Sequence, residues 1–230
     1  INAAPYFEVA GREAARDALA HKSIFYESRC LQMAGKTNRA IARLGDIVED
    51  TSNPYRDYAR LAMGELHARE GRHEKALEAF EALLVPSVAP QERAQALLAA
   101  GISASKLGQG AKARGFLEST ISSSGIEPKY KARAQLALME MCFTREQHEE
   151  AIRAFRAGEY LGERHVLAQT YLIAGKSFVA MDRRKEAIAQ FFNSERLALG
   201  VKPEPLRRIG FEASYRRLNC FYDINGANIP

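Results

Sequence analysis

Five alanines set the frame of this chain. Ala40, Ala76, Ala113, Ala151 and Ala187 follow one another at steps of 36, 37, 38 and 36 residues. Four residues after each stands a large apolar group: Leu44, Phe80, Leu117, Phe155 and Phe191. Positions i and i+4 share one face of an α-helix, so each pair marks a buried stripe on which a small residue sits beside a large one. Five residues before each alanine stand Gly35, Gly71, Gly108, Glu146 and Asp182. Glycine closes helices because it adopts the left-handed conformation without a steric penalty. Twelve residues before each alanine stand Ser28, Gly64, Gly101, Met139 and Gly175. A glycine inside a helix costs about 1 kcal/mol against alanine, and the usual compensation is the close approach of a second helix. A pattern repeated five times at this spacing requires a stack of similar helical units, each burying its face on its neighbours.

Turn chemistry divides the stack. Thr51 to Pro54, Pro86 to Pro90, Ser122 to Pro128 and Gly200 to Pro205 break the helical pattern, being rich in proline, glycine and serine. Between these breaks the sequence predicts helix pairs at about 22–34 and 37–50, 55–70 and 73–85, 91–107 and 109–122, 129–144 and 147–158, and 164–181 and 183–198. A helix from Pro5 to about Leu19 precedes them and another near 205–221 follows. The last residues, from Asp223 to Pro230, read as irregular. The expected organisation is an N-terminal capping helix over 1–20, five helix pairs over 21–200, and a C-terminal capping helix with a tail over 201–230.

The repeating unit resembles the tetratricopeptide repeat. The match is best over 57–87, where Met63, Gly64, Gly71, Ala76 and Phe80 fall at that family's spacing. It is next best over 168–199, with Ala174, Gly175, Phe178, Ala187 and Phe191. The family's usual period is about 34 residues, so each unit here carries two to four extra residues, assigned to the loops. The resemblance covers about 180 of the 230 residues. It implies an all-α fold, a right-handed superhelical solenoid of antiparallel helix pairs. It also implies a function in protein–protein interaction rather than catalysis, with partners held on the first helices of the pairs, which line the concave face.

The composition agrees with a folded chain: 47% hydrophobic and 27% charged. The net charge is +5, with 33 basic residues interleaved among 28 acidic ones. A nucleic-acid binder gathers its lysines and arginines on one face. Here Arg207 and Arg208 lie half a helical turn away from Arg216 and Arg217, so they form no single phosphate-tracking stripe. No run of apolar residues is long enough to span a bilayer. Cys30, Cys142 and Cys220 are odd in number and far apart, which argues for free buried thiols rather than a disulfide framework or zinc site. The five histidines are scattered, and neither His73 nor His148 opens an H-E-x-x-H motif. His67 takes the place of a family aromatic and is expected to be packed. Gly108 to Gly110 lacks the Lys-Ser or Lys-Thr pair and the preceding strand of a phosphate loop. Neither a catalytic motif nor a cofactor site is expected. Ile1 to Pro5 has neither the basic start nor the apolar run of a signal peptide, and the chain does not open on methionine. A cytoplasmic and a periplasmic setting are both compatible with this.

Carrying the family's groove positions onto this chain selects Lys22, Phe25, Arg29 and Met33 on the first unit and Tyr58, Leu61, Glu65 and Arg69 on the second. Gln95, Leu98, Ile102 and Lys106 follow on the third, Gln135, Glu140 and Phe143 on the fourth, Gln169, Leu172, Lys176 and Val179 on the fifth, and Ile209, Ala213, Arg216 and Arg217 on the last helix. Such a mixed apolar and basic surface suits an extended or helical peptide of acidic character. The family's clamp for a terminal carboxylate is absent, because its positions hold Phe25 and Arg29, or Leu61 and Glu65. The expected function is a non-enzymatic scaffold or adaptor. The alternatives are a structural subunit of a larger assembly, such as one at a bacterial envelope, that uses its ends and convex face, and an RNA-binding helical repeat.

Overall fold

The computed structural model describes residues 18–158, 162–198 and 204–225. The expected helix before Leu19, the break after Gly200 as far as Pro203, and the tail after Asn225 lie outside or largely outside them. The described residues form eleven α-helices and no strand. They are α1 Ala18–Met33, α2 Thr37–Glu49, α3 Arg56–Arg69, α4 His73–Glu81, α5 Pro90–Lys106, α6 Gly110–Ser122, α7 Pro128–Thr144, α8 His148–Arg156, α9 Arg164–Ala180, α10 Arg184–Ala198 and α11 Glu204–Asn225.

The chain divides into two compact units, residues up to Gln109 and residues from Gly110. In the first, α1 packs on α2, α2 on α3, α3 on α4, and α5 on both α4 and α3. In the second, α6 packs on α7, and α9 packs on α7, α8 and α10. Helix α11 closes that unit against α10 and α9. One motif recurs in both units: α3, α7 and α9 each touch their own second helix and the next first helix.

The buried stripe explains that motif. All five frame alanines are 0% exposed, and Leu44, Phe80, Leu117, Phe155 and Phe191 are buried beside them. The close-approach glycines receive these large groups. A Cβ placed on Gly64 would stand 2.5 Å from the Phe80 ring. One on Gly175 would strike Phe191. Phe191 belongs to a core that runs through Met139, Phe155, Ile173 and Phe178. The smaller core of the first unit joins Leu31, Ala40, Leu44, Ile47, Ala59 and Leu66.

The turns inside the pairs are built alike. Gly35, Gly71 and Gly108 have φ of 70°, 72° and 76°, and Glu146 and Asp182 at the equivalent positions have 59° and 58°. In every case the next amide donates to the carbonyl five residues back: Lys36 to Leu31, Arg72 to His67, Gln109 to Ala104, Gln147 to Cys142 and Arg183 to Phe178. This is the Schellman closure. The position demands a left-handed residue, and the chain supplies one even where it lacks glycine.

Four helix ends differ from the sequence expectation. Helix α1 is already helical at Ala18, four residues before the expected start near 22. Helix α4 stops at Glu81 rather than near 85. Helix α8 stops at Arg156 rather than 158, where the buried Gln135 side chain donates to the carbonyls of Ala154 and Phe155, both at 3.1 Å, and caps it. Helix α11 runs to Asn225, so Asp223 is helical, and its carboxylate accepts a hydrogen bond from Arg184 of α10 at 3.3 Å.

Candidate functional site

The first helices carry the candidate surface, and their polar residues obey a repeat rule. One residue after the close-approach position stand Glu65 in α3, Glu140 in α7 and Lys176 in α9. Six residues before it stand Gln95 in α5 and Gln169 in α9. The Gln95 side-chain amide donates to Glu65 at 3.0 Å, and Gln169 donates to Glu140 at 2.8 Å. One lock lies within each unit, and each ties a first helix to the next. The third member changes sign: Lys176 pairs with Glu212 of α11 at 2.6 Å, and Glu212 also accepts from Arg216 at 2.8 Å. Burial raises the Glu212 carboxyl pKa, but the hydrogen bonds from Lys176 and Arg216 outweigh it and hold the group below the usual carboxylate range.

Among the groove residues, Tyr58, Glu65, Gln95, Glu140, Gln169, Lys176, Arg216 and Arg217 are engaged between or along helices. Tyr58 is half exposed, and its hydroxyl donates to Glu92 of α5 at 2.8 Å, which raises the phenol pKa. Arg29, Arg69 and Lys106 are exposed. Arg69 and Lys106 occupy the same repeat position, five residues past Gly64 and Gly101, in the last turns of α3 and α5. Cations there complement the helix dipole. Met33 holds that position in α1 and is almost fully exposed, and Ile102 is exposed on α5. Leu61, Leu98, Gln135, Leu172 and Ala213 do not belong to the surface, because all five are buried, Gln135 as the cap of α8.

Other groups read as packing. His67 is buried with its Nδ1 unpartnered, and burial, followed by the nearby Arg72 and Lys75, lowers its pKa. Burial raises the Cys142 and Cys220 thiols, and Cys30 is only partly buried, so the expectation of three buried thiols holds for two. No cluster of three metal-ligating side chains occurs among the described residues, and no helix there is long and apolar enough to cross a membrane. The second unit has a half-open cleft of about 220 Å³ between α6, α7 and α8, lined by Ile121, Leu138, Ala154 and the paired Arg114 and Glu150.

Solved structures share this arrangement of helices. BtubC from P. vanneervenii superposes with a TM-score of 0.68 at 17% identity, covering 88% of this chain and 92% of that one. YrrB, described as a TPR protein with an unusual peptide-binding site, gives 0.61 at 18%, covering 92% and 99%. MamA of AMB-1 gives 0.57 at 16%, covering 77% and 99%. The fold is that of the tetratricopeptide-repeat proteins. No protein-family profile matches the sequence, and no curated protein matches it. At these identities the likeness establishes the tetratricopeptide architecture and leaves the ligand to the surface chemistry.

Sequence reasoning missed the α3–α5 and α7–α9 locks, although their signal was present. Glutamate and glutamine recur at fixed offsets from the close-approach residue. Only the stacking of first helices shows that these offsets meet.

Proposed function

We propose that this tetratricopeptide-fold chain is a non-enzymatic adaptor that holds an acidic segment of a partner protein on the first-helix face of its N-terminal unit. One observation carries the reading: Arg69 and Lys106 stand exposed at equivalent positions on neighbouring helices, and exposed Tyr58 and Ile102 share those helices. Carboxylates of an extended segment would meet the two cations in charge-assisted hydrogen bonds, and apolar side chains would cover Tyr58 and Ile102. The Glu65–Gln95 lock fixes both helices before binding, so the ordering cost falls mainly on the ligand. The peptide-binding description of YrrB is in keeping with this use of the fold.

A displayed random-peptide library panned on the whole chain tests it. The expected outcome is enrichment of sequences that combine Asp or Glu with apolar residues. The double variant Arg69→Glu, Lys106→Glu should bind them at least about tenfold more weakly, since two exposed charge contacts of up to about 1 kcal/mol each are replaced by repulsion. Its helicity should be unchanged. Unaltered binding by the double variant would remove the proposed face. Selection of RNA instead, with an affinity falling steeply in salt, would favour the nucleic-acid alternative.

A further inference from the structure

Helix α11 is apolar on two opposite faces. Leu206, Ile209, Gly210, Ala213 and Cys220 turn toward α10 and α9, and four of these five are buried. On the other side, Phe211 and Tyr215 are each 67% exposed, Leu218 49% and Tyr222 53%. A helix with apolar residues on both sides is built to lie between two layers. Helix α9, another first-type helix of this unit, does so: it is packed by α7, α8, α10 and α11.

The exposed residues follow one another at steps of four, three and four. That is the a/d spacing of a coiled-coil seam, and it is narrower than an ordinary core stripe. At 150–250 Å² per aromatic side chain, their exposed fractions amount to roughly 450 Å² of apolar surface per copy. That is as large as the biggest patch on a typical monomer. Two copies joined here would bury about 900 Å² of apolar surface. The flanking side chains bring the total toward the roughly 1,200 Å² at the low end of specific interfaces.

We propose that this face pairs with the same face of a second copy of the chain, the two α11 helices running antiparallel about a two-fold axis between Tyr215 and Leu218. The seam is self-complementary. Phe211 then meets Tyr222 of the second copy, and Tyr215 meets its Leu218, the mixed layers an antiparallel pairing forms. Charge fixes the direction. Arg207 and Arg208 are exposed in the first turns of α11 and share the single carboxylate of Glu204, at 3.6 and 3.8 Å, so this end keeps a net positive charge. Antiparallel pairing carries both to the C-terminal end of the other α11, beside the last carbonyls and exposed Asp223, which Arg184 holds at 3.3 Å. Parallel pairing would set the four arginines against one another. The inference is independent of peptide binding by the N-terminal unit.

Sedimentation equilibrium on the full chain over ~1 to ~100 µM tests the pairing, a range set for a weak contact. The expected result is reversible association of the 25.6 kDa chain to twice that mass. Tyr215→Asp and Leu218→Glu should each shift it to monomer with circular dichroism unchanged, as both side chains stand exposed on α11. Spin labels at Arg207→Cys, in a Cys30→Ser background, should report a separation of about 28 Å along the axes, from 1.5 Å per residue over the 9.5 residues to the two-fold axis in each helix. A chain that stays monomeric throughout overturns the proposal. So does a dimer insensitive to both substitutions, or a label separation near contact. Monomer that instead co-sediments with anionic phosphatidylserine vesicles, and loses this in Tyr215→Asp, assigns the stripe to a membrane surface and likewise overturns it.

Discussion

Gly64→Ala isolates the packing rule on which the repeats depend. Taken alone, replacing a glycine inside a helix with alanine stabilises it by up to about 1 kcal/mol. At Gly64 the added Cβ would lie 2.5 Å from one carbon of the Phe80 ring and 2.9 Å from two others. Phe80 is buried beside Ala76, so its ring cannot swing aside without disturbing the stripe. Overpacking of this kind costs roughly 1–3 kcal/mol, and more where contacts are this short, so the net effect is a loss of about 1–2 kcal/mol. Gly45 is the control. It lies in α2 of the same unit with nothing within 4 Å of its would-be Cβ, so Gly45→Ala should gain up to about 1 kcal/mol. The two variants should therefore differ by about 2 kcal/mol, roughly 1 M or more in the midpoint of urea unfolding for a unit of this size. Circular dichroism during titration measures it. The double variant Gly64→Ala, Phe80→Leu should show a favourable coupling, because the smaller side chain makes room. If Gly64→Ala raised the midpoint as Gly45→Ala does, the close approach would not be what keeps glycine there.

Glu146 adopts φ of 59°, a conformation costing roughly 1–2 kcal/mol for a residue with a Cβ. Glu146→Gly should raise the urea midpoint, with a net gain of about 0.5–1 kcal/mol after the added freedom of the unfolded glycine is subtracted. His67 gives a pH signature. Burial, then Arg72 and Lys75, hold its pKa below the usual value near 6.5. The unfolded chain therefore binds this proton more readily than the folded one. Stability from His67 is complete above the unfolded pKa and falls as pH drops below it. Unfolding titrations from pH 7 to pH 5 should show that decline, and His67→Leu should flatten it.

The helix pairs could be read from the sequence because their determinants are local. An alanine and a large apolar group four residues apart identify a buried face whatever lies opposite. A glycine at the turn identifies a left-handed closure. Glu146 and Asp182 were legible only by alignment with the glycines, since neither residue signals a positive φ alone. The early ends of α4 and α8 were not legible. Helix α8 ends where Gln135 reaches it from another helix.

The sequence alone determined that the chain is all-α, where its helices pair, and which small and large residues meet, because 3.6-residue periodicity and left-handed turns are short-range properties. Tertiary structure decided which polar residues remain available. It consumed Glu65, Glu140, Gln169 and Lys176 in contacts between first helices, buried Gln135 as a cap, and left Arg69, Lys106 and the aromatic side of α11 in solvent. That division depends on which helices become neighbours, and a residue's own position in the chain does not encode its neighbour across a groove.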